Sequence, residues 1–276
     1  MRKPLHTALN ELRQKQKSTF AFNVQNFYQL EACKITAEKL KLPVIIQFSE
    51  RFLRFLEDKY SVKFIMENYK SDYTYFHLDH CIDIDFIKFC IEAGFDSVMY
   101  DGSAFLIDEN IKNSLIVKEH AEKFNCLVEG ELGKVSGVED GFGEEGSSYA
   151  EIQEIIRYVE ETKIDLMALG IGNAHGFYEN LEGIDLSILE EASKKLHPEQ
   201  LFVLHGGTGL PKEVIKEAIS YGVVKINIST QLKKETIDIL KEFATNNSLY
   251  NEISYHTKMV EGLSNFFEQY LLEYTV

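Results

Sequence analysis

The chain has 276 residues, 45% hydrophobic and 26% charged, with 29 Lys and Arg against 44 Asp and Glu for a formal charge of −15. That length suits one large domain with a sizeable core, and we read residues 1–276 as a single unit. The acidic balance excludes a non-specific nucleic-acid binder and a protein that docks on anionic membranes, so any anionic ligand must meet a local positive site.

Leu5 to Lys17 reads as a helix whose Leu5, Ala8, Leu9 and Leu12 share a face and cover a surface. A strand over Phe20–Val24 follows, then a helix from Gln29 to Lys41 that Pro43 ends, and a buried strand over Val44–Ser49. After a helical region with Phe52, Phe55 and Leu56, a third strand opens near Tyr73 and ends in Leu78-Asp79-His80-Cys81. The alternation then repeats: a helix over Asp83–Ala93, a strand over Ser97–Asp101, a helix over Ile107–Phe124 and a strand over Cys126–Glu131. Gly133 to Ser148 forms a long glycine-rich loop. Beyond it come a helix over Ala150–Thr162, a strand over Asp165–Gly170, a helix over Leu186–Leu196 and a strand over Leu201–His205. A helix over Pro211–Ser220, a strand over Val223–Ile228 and further helices complete the chain.

Continuous apolar strands alternating with helices predict a parallel sheet covered on both faces, and eight such units predict a closed (β/α)8 TIM barrel with an extra N-terminal helix and C-terminal helices. A doubly wound open sheet is the alternative. No apolar run approaches the ~18 residues of a membrane span, and Met1 to Thr19 is too polar for a secretory leader. Cys33, Cys81, Cys90 and Cys126 form no CxxC pair, from which we expect free thiols, a reducing setting and a cytoplasmic protein.

In such a barrel the active site lies at the carboxyl ends of the strands. Polar residues gather there: Asn23, Ser49, Asp79 and His80, Asp101, Glu131, His175, His205 and Asn227. A carboxylate beside an imidazole at the end of an apolar strand has little packing reason to exist. Three histidines from strands three, six and seven would give three-imidazole coordination of Zn2+ with a position left for substrate. His77 lies two residues before its strand end and reads as a barrel-interior or supporting group. The turn His205-Gly206-Gly207-Thr208-Gly209 and the segment Asn227-Ile228-Ser229-Thr230 occupy the loops where barrel enzymes hold phosphate on amides and a helix N-terminus. Lys225 shares parity with Asn227, so it points inward, either as a Schiff-base amine or as a buried ion-pair partner of a carboxylate such as Glu129.

These motifs, with Ala21-Phe22-Asn23, Val98-Met99-Tyr100-Asp101-Gly102-Ser103, Glu129-Gly130-Glu131-Leu132-Gly133 and Ala174-His175-Gly176, resemble class II, metal-dependent ketose-bisphosphate aldolases over nearly the whole chain. The resemblance implies Zn2+ on His80, His175 and His205, with Asp101 and Glu131 as alternative or nearby ligands and room for a monovalent cation. It implies Asp79 as acid and base at the C4 oxygen and Glu139, on the glycine-rich loop, as a second proton-transfer carboxylate. Asn23, Ser49, Gly176, Gly206, Gly207, Thr208, Asn227, Ser229 and Thr230 would hold a sugar phosphate in a homo-oligomer, dimer or tetramer. Fructose 1,6-bisphosphate is the expected substrate, with tagatose bisphosphate or a singly phosphorylated ketose as alternatives and a metal-dependent sugar-phosphate isomerase or epimerase as the competing class. The chain departs from the family at Ala104, where histidine is usual, and in having no arginine after Arg157. A distal phosphate would therefore depend on Lys233, Lys234 or Lys258, or on Arg51 or Arg54 after strand two, or not be bound strongly, and the expectation is a weak distal site.

Overall fold

In the computed structural model, which describes residues 2–56, 59–135, 137, 148–178, 180–246 and 251–275, the alternation closes on itself. The strands are β1 (Thr19–Asn23), β2 (Val44–Ser49), β3 (Thr74–Cys81), β4 (Ser97–Tyr100), β5 (Leu127–Leu132), β6 (Leu166–Leu169), β7 (Leu201–Leu204) and β8 (Val223–Ile228). They pair in parallel in chain order, and β8 returns to β1 through Thr19 opposite Lys225 and Ala21 opposite Asn227. The doubly wound alternative is thereby excluded, because an open sheet would leave β1 and β8 as edges. Each crossover is helical, with two helices, α3 (Glu50–Phe55) and α4 (Lys59–Tyr69), filling the connection after β2.

Successive strand residues face opposite ways. The outward set, including Phe22, Ile46, Phe76, Val98, Met167 and Ile226, packs against the surrounding helices in one continuous core. The inward set starts with an apolar floor of Ile45, Tyr75, Leu166, Leu201 and Val224. Leu5, Ala8, Leu9 and Leu12 of α1 (Leu5–Gln14) pack onto that floor, so the surface the first helix covers is the open amino-terminal end of the barrel. This helix is shorter than its periodicity suggests; Gln16 takes a left-handed φ of 51° and turns the chain into β1.

Above the floor the inward positions become polar: Gln47, His77, Ser97, Glu129 and Lys225 are all fully buried. Register then carries the next layer to the carboxyl rim, with Gln47 opposite His77 and Ser49 opposite Asp79. At the other end of the sequence α11 (Glu252–Thr275) packs along α2 (Phe27–Leu40) and onto β1, where the rings of Phe22 and Phe267 meet edge to face at 4.7 Å and 70°.

Candidate active site

The end of β3 does not continue as a regular strand. Its register with β4 shifts between Leu78 and Cys81, and His80 has a φ of 39°, an unfavourable conformation for a residue with a side chain. The irregularity turns His80 as well as Asp79 toward the barrel mouth, although consecutive strand residues normally face opposite ways. Both are buried.

Around His80 the structure brings together residues from five strand ends. Its ring centroid lies 5.4 Å from that of His175 and 4.8 Å from that of His205. The ligand atoms of His80, His175 and His205 all lie within 4.8 Å of one another, and so do those of His80, Asp101 and Glu131. His80 Nδ1 is 2.8 Å from Asp101 Oδ2, while the other Asp101 oxygen accepts from the Ser103 hydroxyl at 2.6 Å. Three buried atoms at the centre, His80 Nε2, His205 Nδ1 and Glu131 Oε2, have no hydrogen-bond partner. Buried polar atoms are rarely left so.

The electrostatics fit the same reading. Burial pushes the His80 imidazole toward its neutral form, yet the charge of Asp79, the hydrogen bond to Asp101 and the charge of Glu131 outweigh it and hold its pKa well above the ordinary value. Burial, reinforced by the Asp101 charge, holds the Glu131 carboxyl well above the usual carboxylate range. Imidazole and carboxylate donors converging with lone pairs unspent, in a pocket of surplus negative charge, suit a divalent cation.

Asp79 stands beside this cluster in a cradle of amides. Asn23 donates to its Oδ2 at 2.7 Å and Asn227 to its Oδ1 at 3.3 Å, and Gln47 Nε2 donates to the Asn23 side-chain oxygen Oδ1. Asn23 is therefore placed against Asp79, while Ser49 caps α3 by accepting from the Phe52 amide at 3.3 Å. Asn227 Oδ1 and Ser229 Oγ are buried without hydrogen-bond partners at the start of α10 (Thr230–Asn246). Thr208 accepts from the Gln231 amide at 3.4 Å, which ties the β7 loop to the first turn of that helix. Gly206 has a φ of 66°, and a Cβ there would collide with the Ala174 carbonyl oxygen, so only glycine lets the β6 and β7 loops close together. Gly176 is also at positive φ, and a Cβ on Gly207 would press on the Ile226 side chain and the Asn227 carbonyl oxygen of β8. Glu139 lies outside the described residues.

Lys225 resolves its two readings in favour of the ion pair. Its Nζ is 2.8 Å from Glu129 Oε2 and 3.3 Å from His77 Nε2, with His77 Nδ1 2.8 Å from the Ser97 hydroxyl. Despite complete burial, the charge of Lys225 holds the Glu129 carboxyl well below the usual range. The other Glu129 oxygen is 2.8 Å from His205 Nε2, leaving Nδ1 toward the cluster. That contact escaped the sequence reading, which linked Glu129 to lysine alone. Two other supports escaped it: Asn173 donates to the His205 carbonyl at 2.9 Å, and the Tyr178 hydroxyl donates to the Gly206 carbonyl at 2.8 Å. Their one sequence signal is proximity to His175; what they hold is a neighbouring loop, which only the fold brings near.

Comparison with known proteins agrees with this geometry. Residues 3–274 match the family described as Fructose-bisphosphate aldolase class-II. The chain is 36% identical over 243 residues to a fructose-bisphosphate aldolase of Streptococcus pneumoniae, covering 86% of this chain and 81% of that one. It is 33% identical over 261 residues to a 6-phospho-5-dehydro-2-deoxy-D-gluconate aldolase of Bacillus subtilis, covering 92% and 89%. Among solved structures, one described as a putative fructose-1,6-biphosphate aldolase from Coccidioides immitis superposes with a TM-score of 0.87 at 22% identity, covering 98% of this chain and 96% of that one.

Proposed function

Since this chain belongs to the class-II fructose-bisphosphate aldolase family, we propose that it reversibly cleaves the C3–C4 bond of a ketose phosphate. Fructose 1,6-bisphosphate is the leading substrate, giving dihydroxyacetone phosphate and glyceraldehyde 3-phosphate. The observation that carries the reading is the convergence of three imidazoles and two carboxylates beside Asp79, itself held by two amides.

In this proposal His80, His175 and His205 hold Zn2+, the ion that an imidazole-rich set with nearby carboxylates favours. Bound there, the ion would act as a Lewis acid on the substrate carbonyl and stabilise the charge left when the carbon–carbon bond breaks. Asp79 takes the proton from the C4 hydroxyl during cleavage and returns it during condensation. Asn23 and Asn227 fix its two oxygens, so the carboxylate is oriented before substrate arrives. Gly176, Gly206, Gly207, Thr208, Ser229 and Thr230 surround the phosphate beside the ketone, with the amides at the start of α10 facing it. Glu139 is assigned the proton exchange at C3 on sequence grounds.

A second reading follows from the Bacillus subtilis relative, whose name specifies a singly phosphorylated deoxygluconate. Four buried free cysteines suit a reducing, cytoplasmic setting for either activity. The test is turnover of fructose 1,6-bisphosphate, tagatose 1,6-bisphosphate and 6-phospho-5-dehydro-2-deoxygluconate, scored by release of triose phosphate before and after chelation and after Zn2+ is restored. Release that stops on chelation and returns with Zn2+ is expected. Interconversion of sugar phosphates without triose phosphate would replace this reading with an isomerase or epimerase.

A further inference from the structure

Bidentate recognition of an oxyanion is the work of arginine, and an acidic chain has few cations to offer. All but one of this protein's arginines are committed elsewhere. Arg2 bonds Asp96 and the Thr74 carbonyl, and Arg13 bonds the carbonyls of Gln200 and Gly222. Arg157 bridges Asp108 and Glu161 on the outer helices. Arg54 is fixed between Glu50 at 2.6 Å and Asp83 at 2.7 Å, with its guanidinium 4.3 Å over the Phe86 ring. Of the lysines in the C-terminal part, Lys234 pairs with Asp238 at 2.5 Å.

Arg51 has no hydrogen bond or ion pair among the described residues. It lines a cavity of about 350 Å3 with Gln25, Ser49, Phe52 and Phe55. This cavity adjoins the site: Ser49 is the register partner of Asp79 across β2 and β3. A substrate whose reacting hydroxyl lies at Asp79 and whose first phosphate lies over β7 and β8 has this side of the mouth for its other end.

Resting on the aldolase reading above, we propose that Arg51 anchors the anionic group at the far end of the ketose phosphate and so sets substrate preference. The guanidinium fork fits a phosphate, as in fructose 1,6-bisphosphate, or a carboxylate, as in a deoxygluconate phosphate; the shared chemistry is a planar pair of anionic oxygens.

The test compares wild type, Arg51→Ala and Arg51→Lys on fructose 1,6-bisphosphate, 6-phospho-5-dehydro-2-deoxygluconate and fructose 1-phosphate, which has no distal anion. Arg51→Ala should lose roughly 10- to 100-fold in kcat/KM on a substrate whose distal anion is bound, the range for a hydrogen bond to a charged group. Its activity on fructose 1-phosphate should be unchanged, and Arg51→Lys should recover part of the loss. The substrate that takes the larger loss tells phosphate from carboxylate. Equal losses on all three substrates, or none on either substrate with a distal anion, would overturn the role of Arg51 and leave the aldolase reading standing. Failure of wild type to cleave any of the three would remove both.

Discussion

At the scale of single residues, the candidate site separates groups that would touch substrate from groups that hold others in place. Asp79 belongs to the first kind. Its replacement by Ala should leave bound metal stoichiometric while turnover falls by roughly 10²–10⁴, the usual share of a positioned acid or base; metal analysis alongside kcat decides it, and near-normal kcat would move the role to another group. Glu129 belongs to the second kind, since it meets His205 on one oxygen and Lys225 on the other. Glu129→Gln should weaken metal binding by roughly 10- to 100-fold, as losing a partner of a ligating histidine does. It also leaves the Lys225 charge buried and unpaired, at about 3–5 kcal/mol. The double change Glu129→Gln with Lys225→Met should recover much of that stability in urea titrations without recovering metal affinity. Recovery of both together would mean that Glu129 acts only through folding.

At the scale of elements, the placement of β5 depends on what lies behind it. Glu129 and Glu131 point inward, and between them Gly130 faces outward against α7 (Ile152–Thr162). A Cβ on Gly130 would collide with the Tyr158 hydroxyl, which is itself held 2.6 Å from Ser114 Oγ on α6 (Ile107–Glu122). The glycine between two functional glutamates is thus a packing requirement of the helix layer. Gly130→Ala should destabilise the protein by about 1–3 kcal/mol through overpacking, read as a lower urea midpoint with unchanged slope. Displacement of β5 would also shift both glutamates, so metal affinity should fall in the same variant. An unchanged midpoint would show that Tyr158 can move aside at no cost.

At the scale of the whole molecule, the candidate metal residues tie together elements far apart in sequence. His80 lies at the end of β3, His175 beyond β6 and His205 beyond β7, so an ion held by all three binds the folded barrel and has no comparable site on the unfolded chain. Zn2+ at about 100 times its Kd should therefore raise the unfolding free energy by about 2.7 kcal/mol. Calorimetry should show Tm rising with Zn2+ and falling back with EDTA, and the shift should vanish in His175→Ala. A Tm indifferent to both additions would remove the metal centre whatever the activity assays show.

Much of this was legible in the sequence because strand and helix periodicity are local. Eight buried apolar runs alternating with amphipathic helices leave few ways to cover both faces of every strand, and once a barrel is expected, the strand ends name His80, His175, His205, Asp79, Asp101 and Glu131 in advance. Three-dimensional closure decided the rest. Whether the sheet closed was settled by the pairing of β8 with β1. That α1 seals the barrel floor, that Glu129 reaches His205 as well as Lys225, and that Arg54 reaches Asp83 are all contacts between segments apart in the chain. No periodicity records such contacts, because the partner of a buried charge is chosen by the register and curvature of the closed sheet.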